Sequence, residues 1–112
     1  MGIFARRDDR RPVEALDAPS AIERVHAGAI LVDVRTGIEW GRGHAPEARH
    51  IPLERVARRA VDLPHDAPII TICQSGHRSA LAAQALAKRG FTVSSVTGGM
   101  PAWKAAGGAV EN

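Results

Sequence analysis

Two short apolar runs constrain this chain more than any other feature. Residues 29–34 read Ala29-Ile30-Leu31-Val32-Asp33-Val34, and residues 69–72 read Ile69-Ile70-Thr71-Ile72. Neither alternates apolar with polar side chains. A strand wetted on one side alternates, whereas a strand covered on both faces does not. Covered strands belong to parallel sheets with helices on each side, and the intervening segments supply helices. Residues 19–27 put Ala21, Ile22 and Val25 on one face and stop at Gly28. Residues 53–61 follow Pro52, which suits the start of a helix. Residues 79–88 are rich in alanine and leucine, both strong helix formers, with Gly90 as the stop. Residues 93–96 read as a third strand that Gly98-Gly99 breaks, and a last helix starts at Met100. Residues 13–16 suit a short edge strand, and residues 36–41 a helical turn. This order of strands and helices predicts an α/β fold with a mainly parallel central sheet flanked by helices.

A chain of 112 residues fits one domain. Residues 1–12 are charged and patternless, so they are read as a flexible N-terminal tail ahead of a domain over residues 13–112. No apolar run approaches the length of a membrane span, and the N-terminus lacks the apolar stretch of a secretory signal. The expected location is therefore cytoplasmic, with no membrane partner. Net charge is +3, mostly from arginine. The Arg6-Arg7 and Arg10-Arg11 pairs flank Asp8-Asp9, which dilutes them, while Arg55 and Arg58-Arg59 form a third cluster. Aromatic residues make up only 4% of the chain, too few for base-stacking platforms, so no nucleic-acid partner is expected. The five histidines lack zinc-ligand spacing and there is a single cysteine, so no metal and no cofactor are expected.

That cysteine is Cys73, immediately past the second apolar run. In open α/β sheets, ligands bind at the carboxyl ends of strands. The segment Cys73-Gln74-Ser75-Gly76-His77-Arg78-Ser79 is a glycine-containing turn leading into a helix. Backbone N–H groups of such a turn converge on one point, and the helix dipole adds positive potential there. Both favour the thiolate, with burial opposing them. Cys73 has no partner cysteine in its own chain, so sulfur chemistry begun there must end on an external molecule.

At this point the chain resembles the rhodanese-like domain family of sulfurtransferases, over roughly residues 13–110. Asp33-Val34-Arg35 with Glu39-Trp40 is similar to the family's strand-end D-V-R and the acid-plus-aromatic that follows. Residues Gly43-His44-Ala45-Pro46-Glu47-Ala48-Arg49-His50-Ile51-Pro52 resemble its G-H-x-P-G-A-x-x-I-P stretch. Cys73 to Ser79 resembles the active loop C-x-x-G-x-R-S. Residues Gly98-Gly99-Met100-Pro101-Ala102-Trp103-Lys104-Ala105-Ala106-Gly107 resemble the closing G-G-x-x-A-W-x-x-A-G. Four elements in order make a specific match. The chain departs at Glu47, where the pattern has glycine and suggests a special turn.

The resemblance implies a single rhodanese-like domain of thiosulfate sulfurtransferase type. Cys73 would be the nucleophile that takes sulfane sulfur from a donor such as thiosulfate and passes it, as a persulfide, to a thiol or cyanide. Gln74, Ser75, Gly76, His77, Arg78 and Ser79 would form the anion-binding loop. Asp33, Arg35, Glu39 and His44 would support the site. The partners implied are a small-molecule sulfur donor, a thiol acceptor, and in one reading a sulfur-accepting protein.

The residues leave alternatives open. Arg78 either attracts an anionic donor or pairs with a carboxylate and braces the loop. His77 is either a second attractor or a solvated loop residue. Asp33, Arg35 and Glu39 suit a bracing ion network, and His44 a loop-fixing hydrogen bond. Trp40 and Trp103 suit packing. Three rival functions remain: a cysteine phosphatase, a non-catalytic binding module on the same fold, and a persulfide carrier for a partner protein. Against the first, only four residues separate Cys73 from Arg78, a short loop for wrapping a phosphoryl group.

Overall fold

The computed structural model describes residues 13–112. The expected tail over residues 1–12, with two of the arginine pairs, lies outside the described residues. The chain runs β1 (Glu14–Leu16), α1 (Ala18–His26), β2 (Ile30–Asp33), α2 (Gly37–Gly41) and β3 (Arg49–His50). A 3-10 turn (Leu53–Arg55), α3 (Val56–Arg59) and a second 3-10 turn (Ala60–Asp62) follow. Then come β4 (Ile69–Ile72), α4 (His77–Ala87), β5 (Val93–Val96) and α5 (Gly99–Ala105).

The strands form one five-stranded sheet in the order β1-β5-β4-β2-β3, every neighbouring pair parallel. The two apolar runs sit side by side in register, Ile30 opposite Ile69 and Asp33 opposite Ile72. Their side chains feed two cores, one on each face. Val32, Ile69, Val56, Ala83 and Leu86 belong to the core shared with α3 and α4. Leu31, Ile70, Ile72, Val25 and Trp103 belong to the core shared with α1 and α5. Burial on both faces explains the missing alternation.

Local chemistry sets the helix ends. Asp17 caps α1, its carboxylate accepting from the Ser20 N–H at 2.8 Å. Thr36 and Glu39 form a capping box at the start of α2. The segment expected as one helix over residues 53–61 is instead a short α-turn between two 3-10 turns. β3 was not legible at all: two residues are too few to show a period, and pairing with β2 alone defines the strand. Glu47 brings no special turn, since no non-glycine among the described residues has a positive φ.

The parallel register gathers three strand ends at one place. β2 ends at Asp33, β4 leads directly into Cys73, and β5 leads into Gly98-Gly99.

Candidate active site

Cys73 is fully buried, at 0% exposure, beneath the turn that joins β4 to α4. Helix α4 begins two residues earlier than its composition suggests, at His77, and the sulfur explains why. Gly76 occupies the N-cap position and has no side chain with which to cap. Cys73 Sγ does that work, accepting from the Gly76 N–H at 3.0 Å and the Ser79 N–H at 3.3 Å. These donors would otherwise be orphans at a helix N-terminus. Gly76 takes φ of +108°, a conformation that a residue with a Cβ rarely adopts.

A second layer of hydroxyls stands behind the sulfur. Ser79 Oγ lies 3.5 Å from Cys73 Sγ, donates to the Gly76 carbonyl at 3.1 Å, and sits 2.8 Å from Ser95 Oγ on β5. Thr71 Oγ1 donates to the Ser79 carbonyl at 2.8 Å and ties α4 to β4. Ser79 has only one hydroxyl proton. A thiol donates to Ser79 Oγ; a thiolate accepts from it, and Ser95 is placed to donate to the Ser79 oxygen in turn. Burial pushes the Cys73 thiol up. Hydrogen bonds from the Ser79 hydroxyl and from the N–H groups of Ser79, Gly76 and Ser75 outweigh it, leaving Cys73 below its ordinary value. The hydrogen bonds that lower Cys73 come from neutral donors, and the Arg78 guanidinium, though bonded to Glu39, adds a coulombic attraction to the thiolate.

Arg78 faces elsewhere. Its guanidinium makes a two-pronged pair with Glu39, at 2.7 and 2.9 Å. Glu39, already the N3 member of the Thr36 capping box, thereby clamps α2 to α4. The Arg78 bonds hold the Glu39 carboxyl well below its ordinary 4.5, at about 2, with burial opposing and the Thr36 N–H assisting. Because the folded value is the lower one, the pair's contribution is present above pH 4.5 and lost as pH falls through about 2. It is therefore intact at any pH where Cys73 ionises.

Asp33 and Arg35 form a buried pair at 0% and 4% exposure. Arg35 Nε donates to both Asp33 oxygens at 3.0 and 3.1 Å. Its Nη2 reaches Asp33 at 2.8 Å and the Gly43 carbonyl at 2.7 Å. Its Nη1 lies 3.4 Å from Gln74 Oε1, so the pair also props the first residue of the loop. His44 stacks on Trp40 with ring centres 3.6 Å apart, and its Nδ1 lies 2.9 Å from the Trp40 carbonyl. An antiparallel bridge joins His44 to Glu111. His77 is exposed and makes no side-chain hydrogen bond or ion pair among the described residues.

The fold thus gathers Cys73, Ser75, Gly76 and Ser79 around one sulfur, and Gln74 onto Arg35. It sends Arg78 to Glu39, leaves His77 outside, and engages His44 with Trp40 and Glu111. Sequence reasoning passed over Ser95, Thr71 and Gly99. The first two carried a signal: hydroxyls inside otherwise apolar buried strands need partners. Gly99 takes φ of +58°, and a Cβ there would overlap the carbonyls of Cys73 and Gln74. The floor of the loop therefore requires glycine at that point.

Ser79→Ala tests the hydroxyl layer. Hydrogen bonds to charged groups contribute about 1.5–3 kcal/mol, so iodoacetamide labelling of Cys73 at neutral pH should fall roughly tenfold or more, its pH midpoint moving upward. A profile like that of the wild type would remove Ser79 from the cradle.

A parallel sheet with a cysteine past a central strand, its sulfur held by the N–H groups of the following turn, defines a class by fold and geometry: α/β domains with a cysteine loop at a strand end. Residues 15–106 match the family described as Rhodanese-like domain, and the chain belongs to that family. A Bacillus subtilis (strain 168) protein named "Putative sulfur carrier protein YrkF" is 42% identical over 74 residues, which cover 65% of this chain and 40% of that one. The chain thus spans about two fifths of the length of that relative. A rhodanese-related protein from Thermoplasma volcanium superposes with a TM-score of 0.81 at 28% identity, over 88% of this chain and 97% of its own. A Rhodopseudomonas palustris CGA009 protein, described as of unknown function and "Possible Tyrosine Phosphatase", superposes with a TM-score of 0.78 at 27% identity, over 99% and 95% of the two chains. Sulfur transfer is the theme that the family and the Bacillus relative support. No helix among the described residues is long and apolar enough to cross a membrane.

Proposed function

We propose that this chain is a sulfurtransferase in which Cys73 carries sulfane sulfur as a persulfide. The observation that carries the proposal is the Cys73 sulfur capping α4, held by the N–H groups of Gly76 and Ser79 in a chain with no second cysteine. The thiolate attacks the outer sulfur of a donor such as thiosulfate. An S–S bond forms at Cys73, the donor's own S–S bond breaks, and sulfite leaves with the electron pair. A thiol or cyanide then attacks the outer sulfur of the persulfide, and the Cys73 thiolate departs. No oxidant is consumed, and a covalent intermediate implies ping-pong kinetics. The loop N–H groups that hold the thiolate also suit a persulfide anion. Cys73 is fully buried, so the reading requires that the turn above it open to admit a donor. A lone thiolate with this chemistry suits a reducing compartment, which favours a cytoplasmic location.

A second reading, a persulfide carrier loaded by a partner protein, draws on the Bacillus relative's name. Phosphate-ester hydrolysis is disfavoured. The loop is short, and the arginine that would meet a phosphoryl group is held by both Glu39 oxygens.

Initial rates of thiocyanate formation from thiosulfate and cyanide test the proposal, with p-nitrophenyl phosphate assayed beside them. Parallel double-reciprocal lines and negligible phosphatase turnover are expected. A phosphatase rate matching or exceeding sulfur transfer would overturn the assignment.

A further inference from the structure

With Arg78 held by Glu39, the cradle has no free cation among the described residues to recognise an anionic donor. Two cations without a side-chain partner among the described residues lie beside it. Arg42 follows α2 and Lys104 lies in the last turn of α5. Both are exposed, and neither makes a side-chain hydrogen bond or ion pair among the described residues. Together with Arg35, Glu39, Gly43 and Gln74 they line a cavity of about 330 Å³. Within that lining, Asp33 neutralises Arg35 and Arg78 neutralises Glu39. The charge left over is that of Arg42 and Lys104. Gln74, next in the chain to Cys73, is one of the lining residues and connects this cavity to the loop. A second cavity, walled by Val13, Ala15, Ser75, Gly76, Ala80 and Gln84 among others, has no charged side chain among its described lining residues.

We propose that the Arg42–Lys104 cavity is the anion subsite for the sulfur donor. It takes the sulfonate end of thiosulfate, or of a donor built like it, while the sulfane sulfur points past Gln74 toward Cys73. A sulfonate presents three oxygens, and the cavity offers a guanidinium, an ammonium and the Gln74 amide to meet them. Cations in a concave site also concentrate anions beside the nucleophile before reaction. Arg42 and Lys104 are thus specificity residues; Arg78 is a structural clamp. This rests on the proposed sulfur-transfer reading, and its test does not require sulfur transfer.

The test uses the single cysteine as a charge sensor. Iodoacetate and iodoacetamide alkylate the same sulfur but differ by one negative charge, so the ratio of their rates cancels changes in thiolate population and loop opening. In R42Q/K104Q at low ionic strength the iodoacetate-to-iodoacetamide ratio should fall about tenfold. In K88Q/R89Q, which removes the same net charge from the far end of α4, the ratio should change less than threefold. The KM for thiosulfate should rise in the first variant. A ratio in R42Q/K104Q within threefold of wild type, or equal falls in both doubles, would overturn the subsite. If the ratio falls as expected but no persulfide forms on any donor, the proposed function fails while the anion site stands.

Discussion

Replacing Cys73 by serine abolishes sulfur transfer while the domain stays folded. A serine hydroxyl is far too weak an acid to be ionised by the cradle, and an oxygen cannot carry and release sulfane sulfur. Nucleophile removal in covalent enzymes typically costs several orders of magnitude, so thiocyanate production should fall by about 10³-fold or more. The fold tolerates the change because serine Oγ occupies nearly the same place and accepts from the same Gly76 and Ser79 N–H groups. Stability should move by no more than about 2 kcal/mol. Circular dichroism through a urea titration, run beside the assay, checks both halves. Residual turnover near wild type in a folded Cys73→Ser protein would show that sulfur travels by another route.

Arg35→Ala has the largest expected effect on stability. Asp33 is fully buried, and the Arg35 guanidinium supplies three contacts that make its charge tolerable there, beside a fourth from the Arg35 backbone N–H that the substitution leaves in place. Removing one partner of a buried pair leaves an uncompensated charge and typically costs about 3–5 kcal/mol. That is a large share of a small domain's total stability. The Gly43 carbonyl and Gln74 Oε1 lose a donor as well, so the loop wall loosens along with the core. Arg35→Lys keeps the charge but cannot reproduce the fork that grips Asp33 and Gly43 together, so it should recover only part of the loss. Urea midpoints order the expectation as wild type, then Lys, then Ala. An Ala variant within about 1 kcal/mol of wild type would mean that the pair contributes little to the fold.

The sheet and the loop were legible in the sequence for different reasons. Ile30–Asp33 and Ile69–Ile72 are legible because parallel strands covered on both faces lack the alternation of a half-wetted strand, while Val93–Val96 is marked instead by the Gly98-Gly99 break that follows it. Cys73 stood out because it follows one of those runs and precedes a glycine turn. What stayed hidden depends on pairing between distant residues. β3 has no pattern of its own and exists only through Val32 and Asp33. The sequence alone allows Arg78 either a substrate or a carboxylate; Glu39, thirty-nine residues away in the chain, takes it in the folded protein. Ser95 stands behind Cys73 only because β5 lies beside β4. Arg42 and Lys104 share one cavity only because α2 and α5 end near the same loop.

The most direct test is the intact mass of the protein after exposure to a sulfane-sulfur donor. Reduced wild-type protein, incubated with thiosulfate or with an alkyl persulfide and then desalted, should gain the mass of one sulfur atom. Peptide mapping should place that sulfur on Cys73, cyanide should remove it, and Cys73→Ser should never acquire it. Folded wild-type protein that takes no sulfur from either donor, or an added sulfur that persists in Cys73→Ser, would contradict the account.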